Sequence, residues 1–169
     1  MDRLSRIFKE ASLRAVIYSK KNLDLRLDFS EESLLLVDEI LEMFHKAKNE
    51  SHLNNDNIID ISMMFGGYLG EVISKNIGGE WEESDLKEIF IDINGFKVLP
   101  INIIYKRLNF GKKATVIGWY EKFKKKVWFL NAEIQKFISA FFNFKMFDYS
   151  EYLVYNVFIL KIMFENWDS

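Results

Sequence analysis

Carboxylates and lysines are the side chains of this sequence that could do chemistry, because histidine is scarce and cysteine is missing. The chain has two histidines, His45 and His52, and no cysteine. Thiolate catalysis, disulfides and cysteine-based metal sites are therefore excluded. A histidine-dependent nucleophile or a multi-histidine metal site has too few parts. His52 with Asp56 and Asp60 is a conceivable metal site, but we interpret both histidines as surface residues and expect no cofactor.

Two acidic features could support general acid–base chemistry without histidine. The denser one is a cluster beside Trp81, comprising Glu80, Glu82, Glu83, Asp85 and Glu88. Most such clusters are solvated surface, and we favour that interpretation here. Glu71 lies among apolar residues, so burial would raise its pKa unless a base pairs with it. A structural ion pair is the favoured role for Glu71, and a carboxylate-dependent hydrolase is the alternative.

A basic segment with interleaved aromatic residues runs over residues 106–128. Lysines neutralise phosphates and aromatic rings stack on bases, so this composition could hold a nucleic acid, a phosphate ligand or an acidic protein surface. The candidate contacts are Lys112, Lys113, Trp119, Lys122, Lys124, Lys125 and Lys126. However, Trp119, Phe123 and Trp128 also have the spacing of a helix face in a core, with the lysines solvated opposite. We favour that second interpretation.

Charge is nearly balanced over the whole chain but unevenly distributed along it. The 169 residues carry 23 lysines and arginines against 25 acids, a net charge of -2, which does not indicate a dedicated nucleic-acid binder. Residues 28–50 hold seven acids and residues 80–92 hold six, opposite in sign to the basic segment. Separated faces of opposite charge suit steered association with a protein.

The hydrophobic pattern of the first half predicts helices around one half-buried strand. Helical spacing begins at Leu4, and apolar and charged residues alternate over 23–29 as in a strand. Ser30 is the predicted N-cap of a helix to residue 48, with Leu35 and Ile40 widening its apolar face. A further helix is predicted over 57–77. It contains Gly66, Gly67 and Gly70, which indicate close backbone packing, and Gly78-Gly79 ends it.

The second half predicts a hairpin and more helices. Residues 89–93 alternate, Asn94-Gly95 favours a type I′ turn, and 96–99 return as the second strand. Pro100 suits the first turn of a short helix to Leu108. A long helix is predicted over about 115–147. The nearly continuous apolar run over 149–167 fits helix or strand, and we favour helix. The most apolar stretch, 152–164, is shorter than the ~20 residues needed to cross a bilayer.

One stretch resembles a signature of uncharacterised bacterial proteins. Residues 67–71 read Gly-Tyr-Leu-Gly-Glu, and residues 78–81 read Gly-Gly-Glu-Trp. The resemblance covers about seventeen residues, 65–81, and implies a bacterial origin. It brings no known activity with it. In physical terms these residues predict tight helix packing, a glycine helix end and a tryptophan that anchors a sheet.

These observations predict a single α+β domain over residues 1–169, with several helices packed on a small antiparallel sheet. The favoured function is a non-enzymatic protein-binding module in a bacterial cytoplasm, of the immunity or regulatory type. Its contacts are the lysines and Trp119 named above, with Glu71 and Trp81. Nucleic-acid or phosphate binding and hydrolysis are the alternatives. We assign most aromatic residues of the C-terminal segment 137–167 to the core, and the alternative is an interface with a second copy or with a partner.

Overall fold

The computed structural model describes residues 3–143 as five helices, a small sheet and one 3₁₀ turn. The chain divides into two compact units, residues 1–124 and 125–169. This α+β architecture was predicted from the sequence, whereas the single domain stays a prediction. The elements are α1 Arg3–Leu23, α2 Ser33–Asn49, α3 Asn55–Asn76, β1 Glu80–Glu83, β2 Ile89–Ile93, β3 Phe96–Val98, α4 Pro100–Phe110, the 3₁₀ turn Gly111–Ala114 and α5 Val116–Asn143.

Helix α3 is the centre of the first unit, and its glycines let two other helices approach it. A Cβ atom on Gly66 would lie 2.8 Å from the Ile101 Cα of α4. A Cβ atom on Gly67 would lie 2.9 Å from the Ala11 Cβ of α1. Real Cβ atoms do not come so close, so both positions require glycine. The close packing predicted for this helix is confirmed.

The sheet contains three antiparallel strands in the order β1–β2–β3. Trp81, Ile91 and Val98 are aligned across the strands, and all three are buried in the core. Asn94 and Gly95 join β2 to β3 with φ values of 55° and 87°. Positive φ at both central positions is the mark of a type I′ turn, which confirms the predicted hairpin.

Two glycines end α3 and turn the chain into β1. The amides of Ile77 and Gly78 both donate to the Ile73 carbonyl, at 2.8 and 3.1 Å. Gly78 and Gly79 then take φ values of 106° and 99°, a region that side chains disfavour. At Gly79 a Cβ would also lie 2.6 Å from the Asp92 carbonyl oxygen of β2. The predicted helix end is confirmed.

The strand predicted over residues 23–29 is wrong. Helix α1 continues to Leu23, and the following residues do not join the sheet. Asp24 and Phe29 have positive φ values of 53° and 63°, which break an extended conformation at both ends. The Phe29 amide donates instead to the Tyr68 hydroxyl at 2.8 Å. The alternation of apolar and charged residues does reflect alternating burial, because Leu27 is buried and the residues on either side of it are exposed.

Helix α2 begins at Ser33, three residues after the predicted cap. The N-cap is Glu32, which makes no side-chain capping hydrogen bond, so the predicted cap at Ser30 is wrong. The Ser30 hydroxyl accepts a hydrogen bond from the Ser33 amide at 3.2 Å, in the turn that leads into the helix. Ile40 is buried as expected, but Leu35 is exposed and does not widen the apolar face. Pro100 occupies the first turn of α4, as predicted.

Helix α5 accounts for most of the predicted helix 115–147. The region predicted as helix over 149–167 lies outside the described residues, as do the C-terminal aromatic side chains. Among the helices that the structure describes, none combines the length and apolarity required to cross a bilayer.

Candidate binding surface

A buried arginine holds the C-terminal part of α4 against α2. Arg107 is 2% exposed, and its Nε donates to an Asp38 carboxylate oxygen at 2.8 Å. Its Nη2 donates to the Asp38 carbonyl and to the Glu42 carboxylate, both at 3.0 Å. Arg107 belongs to the basic segment 106–128, but its charge is neutralised inside the first unit. The sequence did contain a sign of this arrangement, because Asp38 and Glu42 are one turn apart on α2 and can therefore bind one cation together.

Asp38 also supplies the cap of α5. Its two carboxylate oxygens accept hydrogen bonds from the backbone amides of Val116 and Ile117, at 3.0 and 2.9 Å. The first amides of a helix have no partner within the helix, and a carboxylate there also meets the positive end of the helix dipole. One side chain of α2 thus fixes the end of α4 and the start of α5.

His45 provides a second connection between α2 and α4. The carbonyl of Leu108 can only accept, so His45 Nδ1 donates to it, at 2.7 Å. Nε2 then accepts from the Asn49 side-chain amide at 3.1 Å. The ring lies against Gly111, where a Cβ would be 2.7 Å from Nε2. His45 is therefore a partly buried residue that links α2 to α4, and the prediction of a surface histidine is wrong at this position.

Two aromatic and three lysine side chains are exposed on the C-terminal half of α4 and in the 3₁₀ turn that follows it. Tyr105 is 49% and Phe110 is 62% exposed, and Lys106, Lys112 and Lys113 are also exposed. Lys106 and Phe110 are one helical turn apart on α4, so they are neighbours on its surface, whereas Tyr105 lies about 140° around the helix from Phe110. We call these five residues the aromatic–lysine corner. Two of them, Lys112 and Lys113, belong to the predicted contact set, whereas Tyr105 and Phe110 were not singled out.

The acids beneath the corner are already engaged by Arg107. The Arg107 hydrogen bond holds the pKa of the Glu42 carboxyl below its ordinary value, and the charges of Lys112 and Lys46 act in the same direction. Within residues 3–143, none of the three corner lysines forms an ion pair. The corner consequently presents positive charge to solvent.

The predicted contacts on α5 are divided between surface and core. Lys122 and Lys125 are exposed, whereas Lys126 is partly buried. Trp119 is partly buried, stacks on Phe123 with ring centroids 5.0 Å apart and packs against the core. For Trp119 and Phe123 the structure agrees with the interpretation as a core face. Trp128 does not fit that face, because it is 72% exposed.

Lys124 has a structural partner. It pairs with Glu31, which also accepts a hydrogen bond from the Tyr120 hydroxyl at 2.9 Å. The Lys124 hydrogen bond holds the pKa of the Glu31 carboxyl below its ordinary value. Burial raises the pKa of Tyr120, with Glu31 acting in the same direction. This group therefore joins α5 to the segment before α2.

Trp81 and Glu71 belong to a different part of the first unit. Trp81 is buried in β1, where its ring stacks on Phe8 with centroids 4.0 Å apart and covers Gly70. It anchors the sheet to α1 and α3. Glu71 is partly buried, and the structural ion pair expected for it is absent from the described residues. Burial raises the pKa of Glu71, opposed by the Trp81 indole and the charge of Lys9.

We expect Glu71→Gln to stabilise the protein at neutral pH. The pKa of Glu71 is higher in the folded than in the unfolded chain, so ionisation opposes folding as pH rises through the folded value. The gain should disappear at about pH 3.5, below the ordinary Glu pKa of about 4.3, where Glu71 is neutral in both states. Urea unfolding at the two pH values measures it, with the exposed Glu10→Gln as the control for losing one charge. A less stable Glu71→Gln protein at neutral pH would contradict this account.

The acidic cluster around β1 is solvated, as the sequence analysis favoured. Its five carboxylates are exposed, and those of Glu80 and Glu82 line an open cavity of about 350 Å³ together with Asp92. Glu80 and Asp92 are directly opposite on neighbouring strands. In the part of the chain that the structure describes, no three histidine or acidic side chains are arranged to hold a metal ion, which includes the candidate set at His52.

Comparison of this chain with models of protein families, with curated proteins and with solved structures finds no match.

Proposed function

We propose that this protein is a non-enzymatic protein-binding module whose contact surface is the aromatic–lysine corner. The observation that supports this most directly is the exposure of Phe110, 62%, at the end of α4, together with that of Tyr105, 49%, on the preceding turn. Large aromatic side chains in water are a cost to an isolated protein and a gain at an interface.

The corner combines the properties of a preorganised contact. Burying an exposed phenylalanine in a partner contributes about 1.5–3 kcal/mol. Arg107, Asp38 and His45 fix the turn beforehand, so binding loses little conformational entropy. Lys106, Lys112 and Lys113 attract a partner of negative potential and raise its association rate. An acidic protein surface with an apolar centre therefore fits the corner.

Single-stranded nucleic acid is the competing ligand for lysines beside aromatic rings. The net charge of -2 and the acidic surface around β1 oppose a long polyanion, and they favour a compact protein partner. Nuclease treatment of the captured material separates the two ligand classes.

The test is capture of partners from native lysate by the full chain, followed by binding measurements with the purified partner. The variant Lys112→Glu/Lys113→Glu reverses the charge of two corner lysines, and Phe110→Ser removes the more exposed of the two rings. The matched control, Lys21→Glu/Lys75→Glu, makes the same charge change on exposed lysines of α1 and α3. We expect one defined protein to bind the wild type and the control, and to bind both corner variants at least tenfold more weakly.

Two results would overturn the proposal. Equal binding by the wild type and both corner variants would exclude the corner as the contact. Loss of all captured material on nuclease treatment would show that nucleic acid is the ligand. Circular dichroism of each variant verifies that the exposed substitutions leave the fold intact.

A further inference from the structure

The loop between β1 and β2 holds a leucine out in water. Leu86 is 91% exposed at the tip of the loop. The loop is closed by hydrogen bonds from the Ser84 amide to the Glu88 carbonyl and from the Lys87 amide to the Ser84 carbonyl, both at 2.9 Å. The Ser84 hydroxyl accepts a third hydrogen bond, from the Glu88 amide at 3.1 Å. The exposure of Leu86 is thus a property of an ordered loop.

The surroundings of Leu86 are complementary to the aromatic–lysine corner. Glu82, Glu83, Asp85 and Glu88 are exposed around it, and the one local cation, Lys87, lies 3.4 Å from the Glu83 carboxylate. We call residues 82–88 the leucine tip. The tip offers an apolar side chain among carboxylates, whereas the corner offers Phe110 on a surface that also carries Lys106, Lys112 and Lys113. Such surfaces attract each other at a distance and exclude water on contact.

We infer that the leucine tip of one molecule docks on the aromatic–lysine corner of a second copy. The tip does not cover the corner of its own molecule, because Leu86 and Phe110 are both exposed in the same chain. Since tip and corner are different surfaces, the contact is head to tail, and each bound copy offers a new tip or corner. The occupant of the corner is then a second copy of this chain, an inference that rests on the proposed binding role.

The test measures the mass of the full chain by sedimentation equilibrium at ~0.1 M and ~1 M salt, where the screening length falls from about 10 Å to about 3 Å. We expect mass to rise with concentration at the lower salt and much less at the higher. Leu86→Ser blocks the tip and Lys112→Glu/Lys113→Glu blocks the corner, each weakening association roughly tenfold or more. Lys21→Glu/Lys75→Glu is again the matched control and should associate like the wild type.

Mixing the two blocked variants provides the decisive result. Each should be monomeric alone, but the tip-blocked copy keeps a corner and the corner-blocked copy keeps a tip. We therefore expect an equimolar mixture to form one-to-one dimers that do not grow further. Monomeric wild type, association unchanged in both variants, or a mixture without dimers would overturn the inference. Wild type that stays monomeric while a different protein still binds the corner would overturn this inference alone and leave the proposed function standing.

Discussion

Gly70→Ala is expected to destabilise the protein by about 3 kcal/mol, although alanine is the better helix former. A Cβ atom at this position would lie 2.0 Å from Cζ2 of Trp81 and within 2.9 Å of two further atoms of the same ring. The ring cannot move away freely, because it is buried and stacked on Phe8. Urea unfolding followed by circular dichroism gives the change in the free energy of unfolding.

Two further variants make this expectation specific to the contact. Gly118→Ala, near the start of α5, would meet mainly the hydroxyl of Thr115, which can rotate, so it should change stability by less than about 1 kcal/mol. Gly70→Ala combined with Trp81→Phe removes the ring atoms that collide. The two substitutions should then cost at least about 1 kcal/mol less together than the sum of the single effects. Additive effects would show that the clash is not the cause.

Asp38→Ala is the second large expected effect, a loss of about 3–5 kcal/mol in the free energy of unfolding. The substitution deprives buried Arg107 of a partner and leaves the Val116 and Ile117 amides without their acceptor. Thermal or urea unfolding of the full chain is again the measurement. The corner should also lose its fixed geometry, because both of its neighbouring elements depend on this carboxylate.

An exposed ion pair and a double variant test the cause of that loss. Glu83→Ala removes a carboxylate 3.4 Å from Lys87 on the surface and should cost less than about 1 kcal/mol. Asp38→Ala with Arg107→Met removes the buried cation as well, so the double variant should be more stable than Asp38→Ala alone. If Asp38→Ala were no more costly than Glu83→Ala, the buried network would not be the support that the structure indicates.

Local chemistry explains which elements the sequence predicts well. The Asn94-Gly95 turn, Pro100 at the start of α4 and the glycines after α3 are fixed by backbone preferences that act over a few residues. The residues 23–29 show the limit of such reasoning. Their alternation records burial on one side, but a strand also needs a hydrogen-bonding neighbour, and the Phe29 amide donates to Tyr68 instead.

The candidate surface was predicted only in part, because burial of charge depends on distant segments. Lys112 and Lys113 were recognised from the basic segment, whereas Arg107 in the same segment is buried by acids nearly seventy residues earlier. Periodicity likewise placed Trp119 and Trp128 on one face, yet Trp119 packs against the core and Trp128 is exposed. A separation of nine residues turns Trp128 about 180° away from Trp119 around the helix axis. The core does not simply end before Trp128, because Leu130, farther along α5, is buried.

The cap that Asp38 provides for α5 has a consequence for the order of folding. Val116 and Ile117 receive their acceptor from a residue 78 and 79 positions earlier, so the start of α5 cannot be completed by local interactions. Closing so long a loop costs entropy, which the contacts of α5 with the docked α2–α4 pair and with Glu31 offset. The start of α5 should therefore form late, on a surface that the earlier helices have already built, even though helices commonly begin from their own neighbouring residues.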